Sequence, residues 1–144
     1  MRALLQRVSR AEVRVGGSPV GRIGAGLVVL VGVGPADTDQ TAVELAGKVA
    51  DLRIFQDAEG RTNLSIRDVG GEALVVSQFT LFADTRRGRR PGFTGAAPPE
   101  QAERLYLRFA EAIGATATGQ FGAEMEVELV NDGPMTIWLD TEAG

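Results

Sequence analysis

The sequence predicts an α+β fold. Two stretches repeat apolar residues at helical spacing, while seven or eight short runs are β-branched or alternate in polarity. These runs fall into hairpins that flank the helical stretches instead of alternating regularly with them, which favours α+β over a doubly wound sheet. The 144 residues suit one domain, residues 1–144, long enough to bury about 68–70% of the unfolded surface.

Residues 2–15 read as a strand, with Glu12 to Val15 alternating. Gly16-Gly17 is a two-residue turn into a partner strand from Val20 to Ile23. Leu27 to Val33 is a β-branched run suited to a central strand, and Pro35 to Asp39 forms a loop that delivers a helix. Ala42, Leu45, Ala46, Val49 and Leu52 make that helix's apolar stripe, with Asp39 as N-cap. Arg53 to Phe55 and Asn63 to Ile66 are short strands around a turn at 57–60. Ala73 to Phe82 is read as a further strand. Ala83 to Pro99 is irregular and precedes a helix that opens at Pro98-Pro99 and ends at Gly114, burying Ala102, Leu105, Tyr106, Phe109, Ala112 and Ile113. Met125 to Val130 and Met135 to Asp140 are strands joined by a turn at Asn131 to Pro134, with Met125, Val127 and Leu129 facing inward.

Absences narrow the chemistry. The chain has no cysteine and no histidine, which excludes a thiolate nucleophile, a Ser–His–Asp triad and a His- or Cys-ligated metal. There is no phosphate-binding glycine loop. No cofactor and no metal are expected; an enzyme built from this chain works with hydroxyls, amides, carboxylates, backbone groups or the substrate's own atoms. The longest apolar run is too short to span a bilayer, and the N-terminus lacks the apolar core of a signal peptide, so a cytoplasmic protein with no membrane partner is expected. The net charge of −4 argues against wholesale nucleic-acid binding, yet Arg86, Arg87, Arg89 and Arg90 put four arginines within five residues.

Two stretches carry unusual chemistry. After the apolar run Ala73 to Val76, the polar residues Ser77, Gln78 and Thr80 stand where a core strand should have continued. Unpartnered buried polar groups cost about 1–3 kcal/mol each, so these residues either bond neighbours at a strand end or face a cavity. In a continued strand Ser77, Phe79 and Leu81 would share one face and Gln78, Thr80 and Phe82 the other. All four residues Ser77 to Thr80 can then serve one ligand only through a bulge or through backbone N–H groups. The second stretch is Asn131 to Pro134, first of all a turn. Gly133 also allows close approach to its backbone, and a cis bond to Pro134 would present two carbonyls on one side.

Taken together these motifs resemble the D-aminoacyl-tRNA deacylases. The resemblance rests on Leu-Gln-Arg-Val at 5–8, Arg-Ile-Phe at 53–55, Val-Val-Ser-Gln-Phe-Thr-Leu at 75–81, Arg-Arg-Gly-Arg-Arg-Pro at 86–91 and Val-Asn-Asp-Gly-Pro-Met-Thr at 130–136, in the same order and spacing. Met135 departs from the valine more common in that family. The resemblance implies two β layers with about two helices packed on one side, and a homodimer with active sites at its interface. It implies hydrolysis of the ester between tRNA and a D-amino acid or achiral glycine, with Gly133-Pro134 of one subunit inserted, cis, into the pocket of the other.

That reaction can proceed without histidine. The ester is activated by the neighbouring 2′-hydroxyl, leaving the protein to position it and stabilise an oxyanion. Backbone N–H groups near Phe79 and Thr80 are assigned to the carbonyl oxygen, and Ser77 or Gln78 to the terminal ribose and adenine. Gly133-Pro134 is assigned to the α-amino group and to rejection of L side chains, and Arg7 to bracing that turn. Thr80 is the obvious nucleophile candidate, but no general base lies within recognisable sequence reach. Arg86, Arg87, Arg89 and Arg90 are the candidate tRNA contacts. Two other classes stay open: a tRNA- or nucleic-acid-binding module without hydrolysis, and an esterase of small esters indifferent to chirality.

Overall fold

The computed structural model describes residues 1–142, so residues 143 and 144 of the expected domain lie outside the described residues. In chain order the elements are β1 (Arg2–Val15), β2 (Ser18–Ile23), β3 (Gly26–Gly32), α1 (Asp39–Asp51), β4 (Phe55–Gln56), β5 (Thr62–Leu64), β6 (Glu72–Ser77), a 3₁₀ turn (Phe79–Phe82), α2 (Pro99–Ile113), β7 (Ala117–Thr118) and β8 (Glu126–Asp140). The class is α+β, with two helices, a six-stranded sheet and a two-stranded ribbon of β4 and β5.

β1 is paired along both edges. One edge meets β3 antiparallel over its first half, from Arg2 opposite Gly32 to Val8 opposite Gly26. The same edge then meets β2 over its second half, from Ala11 opposite Ile23 to Val15 opposite Ser18. Gly16 and Gly17 close that hairpin at φ +57° and +81°, the left-handed pair that a two-residue turn requires. The other edge of β1 carries β8, from Arg2 opposite Asp140 to Arg14 opposite Glu126. Outward from β3, β6 and then β7 add in parallel.

The strand pleat divides the apolar residues between two cores. Leu27, Val29, Val31, Ala73 and Val75 join Ala3 and Leu5 beneath both helices, packed on Leu45, Val49, Leu105, Tyr106 and Phe109. Val28, Leu74 and Val76 face the other way and meet Val8, Ala11, Val13 and Ile23. This is why the runs at 27–33 and 73–76 are apolar at every position. The sheet curls around the second core until its ends touch: a Cβ on Gly21 of β2 would lie 2.7 Å from the Thr118 carbonyl of β7.

Several expected boundaries move, each for a local reason. The N-cap of α1 is Thr38, not Asp39, because Thr38 and Thr41 exchange side-chain and backbone bonds at 3.2 and 3.0 Å. Asp39, the first helical residue, pairs with Arg104 of α2 at 2.8 Å. The strand expected over 53–55 lies at Phe55–Gln56, and Ala117–Thr118 adds a strand too short to show periodicity. Val127, expected inside, is exposed at 37%. Asn131 to Pro134 does not reverse the chain. β8 runs straight through it, and residues 132–135 bulge outward opposite Arg7 alone, between the pairs Gln6–Thr136 and Val8–Asn131.

The outer face beyond that bulge is a charge ladder. Glu12 and Glu128 are direct cross-strand neighbours, an arrangement that repels by itself. Arg14 resolves it by donating to Glu12 at 2.5 Å and to Glu128 at 2.8 Å, while Arg22 bonds Glu12 from the other side. Hydrogen bonds from Arg22 and Arg14 hold the Glu12 carboxyl below its ordinary value, and the bond from Arg14 does the same for Glu128. Groups whose folded values are depressed stabilise the fold above the unfolded value of 4.5, and the contribution is lost as pH falls through the lower folded values. Replacing Arg14 with Gln is expected to raise the titration midpoints of both glutamates, read by NMR of their side-chain carboxyls; unmoved midpoints would mean that the ladder carries no interaction.

Candidate active site

The polar stretch at Ser77 to Thr80 is where β6 leaves the sheet. The last ladder bond is Gln78 N–H to the Val31 carbonyl at 2.8 Å. The chain then tightens into the 3₁₀ turn, with Leu81 N–H donating to Gln78 O at 3.2 Å and Ala83 N–H to Thr80 O at 3.0 Å. The two-face alternation expected through Phe82 therefore stops at Ser77. Among the described residues, the N–H groups of Phe79 and Thr80 find no acceptor, as the first donors of a helical turn must. The Gln78 side-chain amide donates to Thr80 Oγ1 at 2.5 Å, which satisfies two of the polar side chains locally.

Arg2 pins this turn. Its Nη1 donates to the Leu81 carbonyl at 2.8 Å, and its Nε to Asp140 of β8 at 3.2 Å. The guanidinium lies 4.3 Å from the Phe82 ring centroid and 5.8 Å from that of Trp138.

A cavity of about 700 Å³ opens beside the end of β6, with Ser77, Gln78 and Phe79 on one wall and Phe93, Phe121 and Met125 on others. Its lining is largely apolar, with Ser77 and Gln78 at the strand end and Glu124 on the wall that leads into β8 as its polar side chains, the usual composition of a small-molecule site. Phe79 and Phe93 stand at 52% and 37% exposure. Their centroids are 5.1 Å apart with planes at 73°. Thr80 is exposed outside the lining.

Gly133 and Pro134 occupy the β8 bulge, exposed, with φ +124° at Gly133 and a cis bond between them. Arg7 braces the bulge from beneath. It is 6% exposed, and its Nε donates to the Asp132 carbonyl at 3.1 Å while Nη1 donates to Ile54 O at 2.6 Å. The brace thus grips the carbonyl before Gly133, not those of Gly133 or Pro134. Asn131 completes the support, donating through Nδ2 to Arg7 O at 2.8 Å and Met135 O at 3.0 Å.

One chain does not bring the two motifs together. Gln78 sits at the Val31 level of β3, opposite Ala3, whereas the bulge sits at Arg7 on the far edge of β1. That is about 13 Å along the strands and about 14 Å across three strand spacings. The arginines at 86, 87, 89 and 90 are exposed on a loop closed by reciprocal bonds between Asp84 and Gly92 at 2.7 and 2.9 Å. Arg86 folds back onto Asp84, whose carboxyl is pushed down to about 2 by that guanidinium and by the Arg86 N–H. Sequence reasoning missed Arg2, Phe93 and Phe121. Phe93 lies in an aperiodic loop and Arg2 at a strand start, so neither carries a spacing signal.

A family model described as D-Tyr-tRNA(Tyr) deacylase matches residues 4–140. A D-aminoacyl-tRNA deacylase of Dinoroseobacter shibae is 62% identical over 144 residues, covering 97% of this chain and 99% of that protein. One of Symbiobacterium thermophilum is 59% identical over 146 residues, covering 99% and 97%. Among solved structures, the c-Myc DNA Unwinding Element Binding Protein aligns with TM-score 0.91 at 41% identity, covering 98% of this chain and 99% of that one. A probable eukaryotic D-amino acid tRNA deacylase aligns at TM-score 0.83 and 19% identity, covering 96% and 97%, which shows a shared fold.

Because Arg7 is buried between two carbonyls, Arg7→Met is expected to leave both without that donor and to cost about 2–3 kcal/mol in urea unfolding. Arg7→Lys should recover little of this, since one ammonium cannot reproduce the guanidinium fork. A loss below about 0.5 kcal/mol would show that the bulge holds itself, since that is the ordinary range for surface substitutions.

Proposed function

The chain belongs to the D-Tyr-tRNA(Tyr) deacylase family and acts as a D-aminoacyl-tRNA deacylase, a proofreading hydrolase of the ester that links a D-amino acid to tRNA; we propose that the cavity beside Phe79 holds that ester. One observation carries the placement: β6 ends at the wall of a largely apolar cavity, with the unused N–H of Phe79 on a lining residue and that of Thr80 on the next residue along. The N–H groups of Phe79 and Thr80 stabilise the ester carbonyl oxygen as it becomes an oxyanion. Ser77 and Gln78 hold the terminal ribose and adenine. Water adds to the carbonyl carbon, the bond to the ribose 3′-oxygen breaks, and the proton of the water reaches that oxygen by way of the vicinal 2′-hydroxyl. The products are the free amino acid and tRNA with its 3′-hydroxyl restored. Thr80 is not the nucleophile in this reading. Its Oγ1 accepts from the Gln78 amide, and among the described residues no base is bonded to it.

The chiral filter comes from a second copy of the chain. Within one chain Gly133-Pro134 lies too far from the cavity, while the sheet face away from the helices leaves Trp138 at 48% exposure and Leu4 and Leu30 half-buried. A homodimer through that face would cover these residues and present the partner's Gly133-Pro134 to the α-carbon, where it holds the amino group and excludes an L side chain. Glycine has no side chain to exclude, so mischarged glycyl-tRNA is hydrolysed as well. Arg86, Arg87, Arg89 and Arg90 contact tRNA phosphates. A tRNA ester as substrate supports a cytoplasmic location in this reading. No helix among the described residues is long and apolar enough to cross a membrane.

Hydrolysis of D-Tyr-tRNA and L-Tyr-tRNA, measured side by side without added metal, is expected to consume the D ester and spare the L ester. Equal hydrolysis would remove the filter and leave a chirality-blind esterase. Bound tRNA with neither ester cleaved would instead support a nucleic-acid-binding module, the reading that the relative named for DNA binding favours. Thr80→Val is expected to keep most of the wild-type rate on the D ester; a fall of a thousandfold or more would assign covalent catalysis to Thr80.

A further inference from the structure

Two partly exposed phenylalanines line the cavity, and neither belongs to either buried core. Phe79 opens the 3₁₀ turn and Phe93 follows directly on Gly92, the closing residue of the arginine loop. At 5.1 Å and 73° the rings meet edge to face. In that geometry one ring turns its edge to the face of the other, so the partner covers neither face of the edge-on ring. Beside them, among the described residues, Arg87, Arg89 and Arg90 have no carboxylate partner, unlike Arg86, which is held by Asp84. Exposed ring faces next to unpaired guanidinium groups are the two components of a single-stranded nucleic-acid track, where bases stack and phosphates are neutralised.

We propose that Phe79 and Phe93 form a stacking platform for the unpaired nucleotides immediately preceding the terminal adenosine of tRNA, with the loop at 86–90 on their phosphates. The inference rests on the reading that the cavity takes the aminoacylated terminal nucleoside. A strand leaving that cavity then passes the two rings first and the arginines beside them. The platform tolerates any base, because stacking uses the π-face and reads no hydrogen-bonding edge. It therefore helps the enzyme accept tRNAs of any identity through the part of the molecule that they share.

The test compares kcat/KM on D-Tyr-tRNA with kcat/KM on D-tyrosyl-adenosine, which ends at the terminal nucleoside and has nothing to stack. For Phe93→Leu the ratio of the two is expected to fall about tenfold, the scale of one lost base–aromatic stack. Phe93→Trp, which keeps a π-face, is expected to hold the ratio at or above wild type. A ratio unchanged by Phe93→Leu, with both substrates still cleaved, would overturn the platform and leave the deacylase reading intact. Weakened self-association with an unchanged ratio would assign the rings to the contact between copies, which also overturns it. If the wild type cleaved neither substrate, the deacylase reading would fall first and the platform with it.

Discussion

The structure depends on β1 being paired along both of its edges. A strand with neighbours on each side cannot slide without breaking two ladders, so it fixes β3 and β8 relative to each other. The 3₁₀ turn and the β8 bulge are the two irregular features to which the proposed site is assigned, and both are tied to this strand by arginine. Arg2 grips the Leu81 carbonyl at one end, and Arg7 grips the Asp132 carbonyl five residues on. Their odd–even offset sends the two side chains to opposite faces. Arg7 is buried on the helix side with Ala3 and Leu5, and Arg2 lies on the other side against Phe82 and Trp138. Arginine suits both posts because its planar fork meets a carbonyl and a second acceptor at once.

A chain without histidine or cysteine is left with hydroxyls, amides, carboxylates, backbone groups and the substrate's own atoms, and among these the backbone is the group that folding positions most firmly. Backbone donors are available where regular pairing stops, and β6 stops under a tight turn that leaves the Phe79 and Thr80 N–H groups unused. Such donors have a fixed direction and no rotamer freedom to lose, which favours them for stabilising charge that develops at one point. The anchoring supports that use. The turn is held by the Val31 ladder bond before it and by Arg2 after it, so the donors are set before any ligand arrives.

Much of this was legible in the sequence, and the remainder failed for physical reasons. The doubly buried strands at 27–33 and 73–76, the stripes of α1 and α2 and the Gly16-Gly17 hairpin follow from periodicity and turn chemistry, and the structure contains them. Ser77 to Thr80 was recognisable as anomalous, because polar residues interrupted an apolar run, but the pattern could not distinguish a continued strand from a 3₁₀ turn. Asn131 to Pro134 reads as a reversal by every local rule. It is a bulge instead because the ladder to β1 resumes on both sides, a tertiary constraint that local sequence does not carry. Alternation puts Arg7 on the buried face of Ala3 and Leu5, where a guanidinium needs partners that local sequence does not show; the Asp132 carbonyl of the bulge and the Ile54 carbonyl supply them.

The separation of the two motifs in one chain is itself informative. The bulge projects from a strand at the sheet's edge, and the open turn lies three strands away. Rotating side chains cannot close a gap of that size, and the strands between are among the best packed in the molecule, with Ala3, Val29 and Val31 fully buried. If both motifs act on one substrate, the fold has to meet itself through a second copy. A two-fold axis would do this twice, giving each cavity the other chain's bulge. The rigidity of β1 then matters beyond stability. A filter that discriminates handedness works by excluding atoms from one side of a carbon, and exclusion requires a wall that does not yield. Arg7, anchored to Ile54 and Asp132 beneath the bulge, supplies the stiffness that such a wall needs.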